Sequence, residues 1–153
     1  MSRDNGKVHR VPRKVYEAEL GRLQLELVVV PVSDVDRAKA FYVDQVGFGL
    51  DVDHSAGEDF RVVQLTPSGS ACSVSLMRGD AAGTLQGLHL VVRDLEAALA
   101  ELRERGVPVS EPFHFGENGQ TPGLHPERAD YASFASFQDP DGNGWMLQEV
   151  PSR

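Results

Sequence analysis

The chain has 153 residues, 41% of them hydrophobic and 25% charged, the balance of an ordinary globular protein. A chain of this length buries roughly 70% of the surface that its unfolded form exposes, so it needs no disulfide. The lone cysteine, Cys72, has no partner within the chain, which fits a cytoplasmic setting. The net charge of −8 argues against nucleic acid or an acidic membrane as partner, since both call for a basic surface.

The first 15 residues hold Arg3, Lys7, Arg10, Arg13 and Lys14 against Asp4, a local +4 that leaves −12 on the rest of the chain. No apolar stretch follows, so a secretory signal is not expected. Residues 1–20 read as a solvated N-terminal tail. The longest unbroken apolar run, Leu27 to Val32, has six residues, far short of the roughly 20 that a membrane span needs.

From residue 23 onward the chain repeats itself. The segment from Leu25 to Ala38 and the segment from Leu85 to Ala98 share one pattern at an offset of 60 residues. Each is a β-branched, apolar run that ends in an aspartate, and a helical pattern follows each aspartate. Asp34 and Asp94 are suited to cap those helices, because a carboxylate accepts the unpaired amide hydrogens of a first turn. The first helix is expected from about Val35 to Val46, with Gly47 as its stop. The second carries Leu95, Ala98, Leu99 and Leu102 on one stripe and stops at Gly106. Strands are expected at Leu50–Asp53, Phe60–Thr66 and Cys72–Met77 in the first half, and at Val107–Ser110, Tyr131–Gln138 and Trp145–Val150 in the second. Each half therefore reads β-α-β-β-β. Residues 21–153 form a single α+β domain made of two modules, about 23–78 and 83–150.

Ser110 to Asp130 does not fit. It holds three prolines and three glycines over 21 residues and is expected to be an irregular loop, with a lid as its functional reading. Asp139-Pro140-Asp141-Gly142-Asn143-Gly144 is a dense turn whose carboxylates stabilise the turn more readily than they do acid–base chemistry. Cys72, in a strand-like run, reads as a small buried hydrophobe.

The doubled module, the Asp-capped helix with Phe41-Tyr42, the following Gly47-Phe48 and the Asp139–Asn143 turn together resemble the glyoxalase / bleomycin-resistance / extradiol-dioxygenase group, the vicinal oxygen chelate superfamily. The resemblance implies two modules forming a cup-shaped mixed sheet, often in a homodimer. It also implies metal ligands at the positions of Leu27, Gly87 and Met146, and near Ser73 or Ser75. Leucine and glycine offer no donor, and a lone thioether is a poor ligand for hard or borderline metals, so no metal and no cofactor are expected. If strand residues alternate, Val29, Pro31, His89, Val91, Met146 and Gln148 face the cup. The expected ligand-binding residues are His89, Gln148, Met146, Ser75, Phe113, Phe115 and His125, and no catalytic residue is assigned. The leading expectation is a metal-independent binder that sequesters a hydrophobic or planar ligand in the cup, as bleomycin-resistance proteins do. The alternative is a lyase, isomerase or dioxygenase of the same superfamily, using His89, Gln148 and His125 as a relocated metal site or a histidine as acid–base catalyst.

Overall fold

Each half starts with a strand that runs into a capped helix. β3 (Leu27–Val32) leads to α1 (Val35–Ala40), and β7 (Leu88–Val92) leads to α2 (Leu95–Glu104). Asp34 Oδ1 accepts the Arg37 amide at 3.1 Å, and Asp94 Oδ1 accepts the Ala97 amide at 3.1 Å. Both aspartates thus cap as expected. The structure is a computed structural model that describes residues 23–153 and, before them, an antiparallel pairing of β1 (Arg3–Asp4) with β2 (Lys7–Val8). The expected N-terminal tail otherwise lies outside the described residues.

The first helix does not stay α-helical. From Phe41 to Val46 it widens to a π-helix, and the amides of Gly47 and Phe48 both donate to the Tyr42 carbonyl at 2.9 and 2.8 Å. Consecutive Phe41 and Tyr42 are both buried there. Gly47, at φ +95°, ends the segment, a conformation that glycine adopts without steric penalty. α2 follows its expected stripe, with Leu95, Leu99 and Leu102 buried.

The first sheet is ordered β3-β6-β5-β4, with β4 at Gly49–Ala56, β5 at Phe60–Thr66 and β6 at Ser73–Arg78. The second is ordered β7-β11-β10-β8-β9, with β8 at Phe113–Gly116, β9 at Gly119–Pro122, β10 at Ser133–Gln138 and β11 at Gly144–Glu149. Both sheets are mixed: β3 runs parallel to β6, and β7 parallel to β11. The α+β class and the two-module layout are as the sequence implies.

Two expectations are corrected in the second half. Val107–Ser110 is not a strand; only Val109 makes an isolated pairing, with Phe137. Ser110 to Asp130 is not an irregular loop. β8 and β9 form a hairpin there, and β8 joins the sheet beside β10. The Phe113-His114-Phe115 alternation was hidden by the surrounding prolines and glycines. Pro122 ends the edge strand β9, where its missing N–H interrupts no ladder.

One core joins the halves. It collects Val30, Val32, Val63, Leu65 and Leu76 from the first sheet and Ala135, Phe137, Trp145 and Leu147 from the second, with residues of both helices among them. Phe41 lies 6.2 Å from Phe137 and Tyr42 5.7 Å from Trp145, ring centre to ring centre. The helical layer thus sits against the inner faces of both sheets. The other face of each sheet looks away from the core and stays open.

The terminal turn fastens this arrangement. Asp139 Oδ1 accepts the amides of Asp141 and Asn143 at 2.9 Å each, and Oδ2 accepts Tyr42 Oη at 2.7 Å and Asn143 Nδ2 at 2.8 Å. Trp145 Nε1 donates to Tyr42 Oη at 2.8 Å, and Asn143 Nδ2 donates to the Pro31 carbonyl at 2.8 Å. Asp141 accepts from the Ser33 amide and from Arg37. Burial, reinforced by the Asp139 carboxylate, pushes the Tyr42 phenol far above its ordinary range, so it remains a donor. The turn's carboxylates are structural, as the turn chemistry suggested.

Candidate functional site

Strand alternation decides which side chains reach the open faces. On the second sheet one row crosses all five strands in register: Val91, Gln148, Phe134, Phe113 and Pro122. The row beside it holds His89, Met146 and Ser136. Phe113 and Phe134 stack with centres 5.8 Å apart, and Phe115 meets both edge-on at 6.0 and 5.5 Å. Phe115 is 59% exposed. Three rings on an open sheet face form an apolar platform with edges and faces free to meet another planar system.

Two polar groups stand on this platform. His89 Nδ1 lies 2.7 Å from the Gly87 carbonyl. A carbonyl only accepts, so in the neutral ring Nδ1 carries the hydrogen and Nε2 is left as an acceptor on the exposed face. Among the described residues no carboxylate bonds the His89 ring. Gln148 Nε2 donates to the Tyr131 carbonyl at 3.2 Å, and its amide oxygen has no such partner among the described residues.

The seven expected residues fall into three places. His89, Met146, Gln148, Phe113 and Phe115 share the open face of the second sheet. Ser75 lies on the open face of the first, between Val29 and Gln64. His125 lies on the reverse side: its amide donates to Ser133 Oγ at 2.9 Å, and its ring is 6.0 Å from that of His114, the register partner of Ser133. Ser133 is fully buried on the core side of β10. His125 Nδ1 accepts the amides of Glu127 and Ala129 at 3.3 Å. His125 therefore does not join His89 and Gln148, and the relocated metal site built on those three residues is not assembled.

The positions at which the family resemblance implies a metal offer no ligand set either. Leu27 pairs with Ser73, and Met146 with His89, while Gly87 precedes β7. No group of three or more His, Cys, Asp or Glu among the described residues is placed to hold a metal ion. This donor set does not fit a divalent cation.

Two residues escaped the sequence reading. Phe134 is the middle ring of the platform, and Gln64 lies beside Ser75. The signal for both was the period of two. Phe134 alternates with buried Ser133 and Ala135, and Gln64 with buried Val63 and Leu65.

Two grooves beside these faces each belong to one half. One of about 930 Å³ lies between Phe60, Met77 and the N-terminal end of α1. The other, of about 520 Å³, is lined by Gly87, Ser136, Trp145 and Met146 among others. Neither is walled by both open faces.

Residues 24–147 match the Glyoxalase/Bleomycin resistance protein/Dioxygenase superfamily. The chain belongs to this superfamily. It is 34% identical to TnmS3, an antibiotic binding protein from Streptomyces sp. CB03234, with 86% of this chain and 98% of that one covered and a TM-score of 0.67. It is 36% identical to a glyoxalase/bleomycin resistance protein from the same organism, over 82% of this chain and all of that one, at a TM-score of 0.63. YetH of Bacillus subtilis (strain 168) is 24% identical over 131 residues, which are 82% of this chain and 98% of YetH. A shared superfamily fold does not fix the chemistry of the open faces, which has to be read residue by residue. Among the described residues no helix is long and apolar enough to cross a membrane.

Proposed function

We infer that this glyoxalase-superfamily chain is a small-molecule-binding protein that sequesters a planar, hydrophobic ligand, in the cytoplasm and without a resident metal. The observation that carries this reading is the Phe113–Phe134–Phe115 platform beside His89 and Gln148. An apolar aromatic surface with a few placed polar groups is the usual composition of a site that works by affinity alone. The likeness to TnmS3, an antibiotic binding protein, supports the same reading and points to an antibiotic as ligand, with protection of the cell as the outcome.

One open sheet is a floor without a roof. The two open faces of a single chain look away from each other, so a cup requires a second copy. We place the first sheet of one protomer over the aromatic face of its partner, twice in a homodimer, which gives two equivalent cups. The exposed Phe60 and Met77 are apolar surface that this contact would cover, while the exposed Val29 and Val52 would line the cup.

The test uses the full chain. Light scattering is expected to return twice the chain mass. A planar fluorescent probe such as 9-aminoacridine should bind once per chain, unchanged after dialysis against a chelator. A monomer would sink the shared cup. Loss of binding on chelation, with recovery on adding zinc or iron, would sink the metal-independent reading.

A further inference from the structure

The open face of the first sheet carries a pattern of its own. Val29, Ser75, Gln64 and Val52 form one row across all four strands, each the register partner of the next. Val29 is 45% and Val52 39% exposed, so the ends of the row are apolar and accessible. Between them stand a hydroxyl and a carboxamide. Ser75 is only 5% exposed, yet neither its hydroxyl nor the Gln64 carboxamide makes a hydrogen bond among the described residues.

The neighbouring row shows that this is unusual. Ser73, 4% exposed, has its Oγ 2.6 Å from Thr66 Oγ1, and Thr66 in turn donates to Asp51. The hydroxyls of that row are satisfied within the protein. Polar side chains this deeply placed are nearly always paired, and an unpaired one on an apolar face is a group held ready for an incoming partner. No described side-chain polar atom is both fully enclosed and unpartnered, so the Ser75 oxygen is reachable from the open side.

We propose that Ser75 and Gln64 form a polar subsite for the cis-amide edge of a planar polycyclic ligand, a lactam or an imide, whose rings lie along Val29 and Val52. A glutamine carboxamide presents a donor and an acceptor side by side. A lactam presents the complementary pair, so two antiparallel hydrogen bonds form at once. The Ser75 hydroxyl then donates to the remaining lone pair of the ligand carbonyl. A ketone or an alcohol engages half of this set, and a carboxylate is disfavoured by a chain of net charge −8. This assignment rests on the ligand-sequestering reading and names its ligand class.

The experiment compares two probes of the same three-ring outline, 6(5H)-phenanthridinone and phenanthrene, by fluorescence titration of the full chain. The wild type should bind the lactam about ten-fold more tightly, as two or three neutral hydrogen bonds allow. Gln64→Leu and Ser75→Ala should each lower the lactam towards the phenanthrene affinity and leave phenanthrene unchanged. Gln64→Glu keeps the outline and a polar surface but removes the donor, so it should also lose the preference, with a melting temperature matching the wild type. Equal binding of the two probes by the wild type, or a lactam preference that survives in Gln64→Leu, overturns the subsite and leaves the sequestering reading standing. Binding of neither probe overturns both.

Discussion

The two sheets are built from one repeated module, yet their two faces have diverged differently. Facing the core they are interchangeable: Val30, Val63, Leu65 and Leu76 on one side and Ala135, Phe137 and Leu147 on the other are all buried in a single cluster. Facing outward they differ, above all in the three-ring aromatic platform that only the second presents. The first sheet shows Val29, Ser75, Gln64 and Val52; the second shows Val91, Gln148, Phe134, Phe113 and Pro122. Core positions are constrained by close packing, whereas open positions are free to take on ligand chemistry. The hairpin β8–β9 sharpens the contrast, since it widens only the second sheet and supplies two of the three rings.

The largest expected effect comes from breaking what the halves share. Asp139 accepts four hydrogen bonds at the junction, one of them from the buried Tyr42 phenol. Asp139→Ala should cost about 4 kcal/mol, because it strands several buried donors at once. Urea unfolding measures it, and a cost below about 1 kcal/mol would mean that the turn does not hold the halves together.

The next test acts on the second half alone. Glu149, fully buried, accepts Arg128 at both carboxylate oxygens and the Leu95 amide at 2.8 Å. The Arg128 hydrogen bonds, against partial desolvation, hold the Glu149 carboxyl below its ordinary range. The pair's contribution is therefore complete above the unfolded glutamate value of about 4.3 and is lost as the pH falls through the lower folded value. Arg128→Met leaves a buried charge unpaired and should cost about 3 kcal/mol at pH 7. The gap between wild type and variant should narrow as the pH drops from 5 to 3. A gap independent of pH would mean that lost packing, not charge, explains the cost.

The smallest effects leave the fold intact and compare the open faces directly. Phe113→Ala should weaken binding of 9-aminoacridine about ten-fold, since it removes one stacking wall and loosens Phe134. Val52→Ala, on the opposite sheet, should weaken it about two-fold through lost apolar area. The reverse order would move the main ligand wall to the first sheet.

Much of this was legible along the chain. The 60-residue repeat from Leu25 and Leu85 and the caps at Asp34 and Asp94 are local signals, and the structure follows them. Alternation correctly sent Val29, His89, Val91, Met146 and Gln148 to the open faces, because the period of two is a property of the extended backbone itself. Phe113 and Phe115 stand out in the sequence as candidate ligand contacts, whereas the strand character of their segment does not. That has a physical cause: β8 is a short strand among prolines and glycines, held by β9 across a tight turn and by β10 about 20 residues away in sequence, and pairing in space decides what so short an alternation becomes.

The chain's own pattern thus determined the modules, their caps and the outward side of each main strand, since these depend on residues a few positions apart. Only the tertiary structure decided the rest. It widened the helix at Phe41, put His125 behind the sheet, seated Asp139 on Tyr42 97 residues away, and turned the two open faces from each other. Those outcomes depend on contacts between distant segments, whose free energy is set by packing and pairing in space and leaves no periodic trace along the chain.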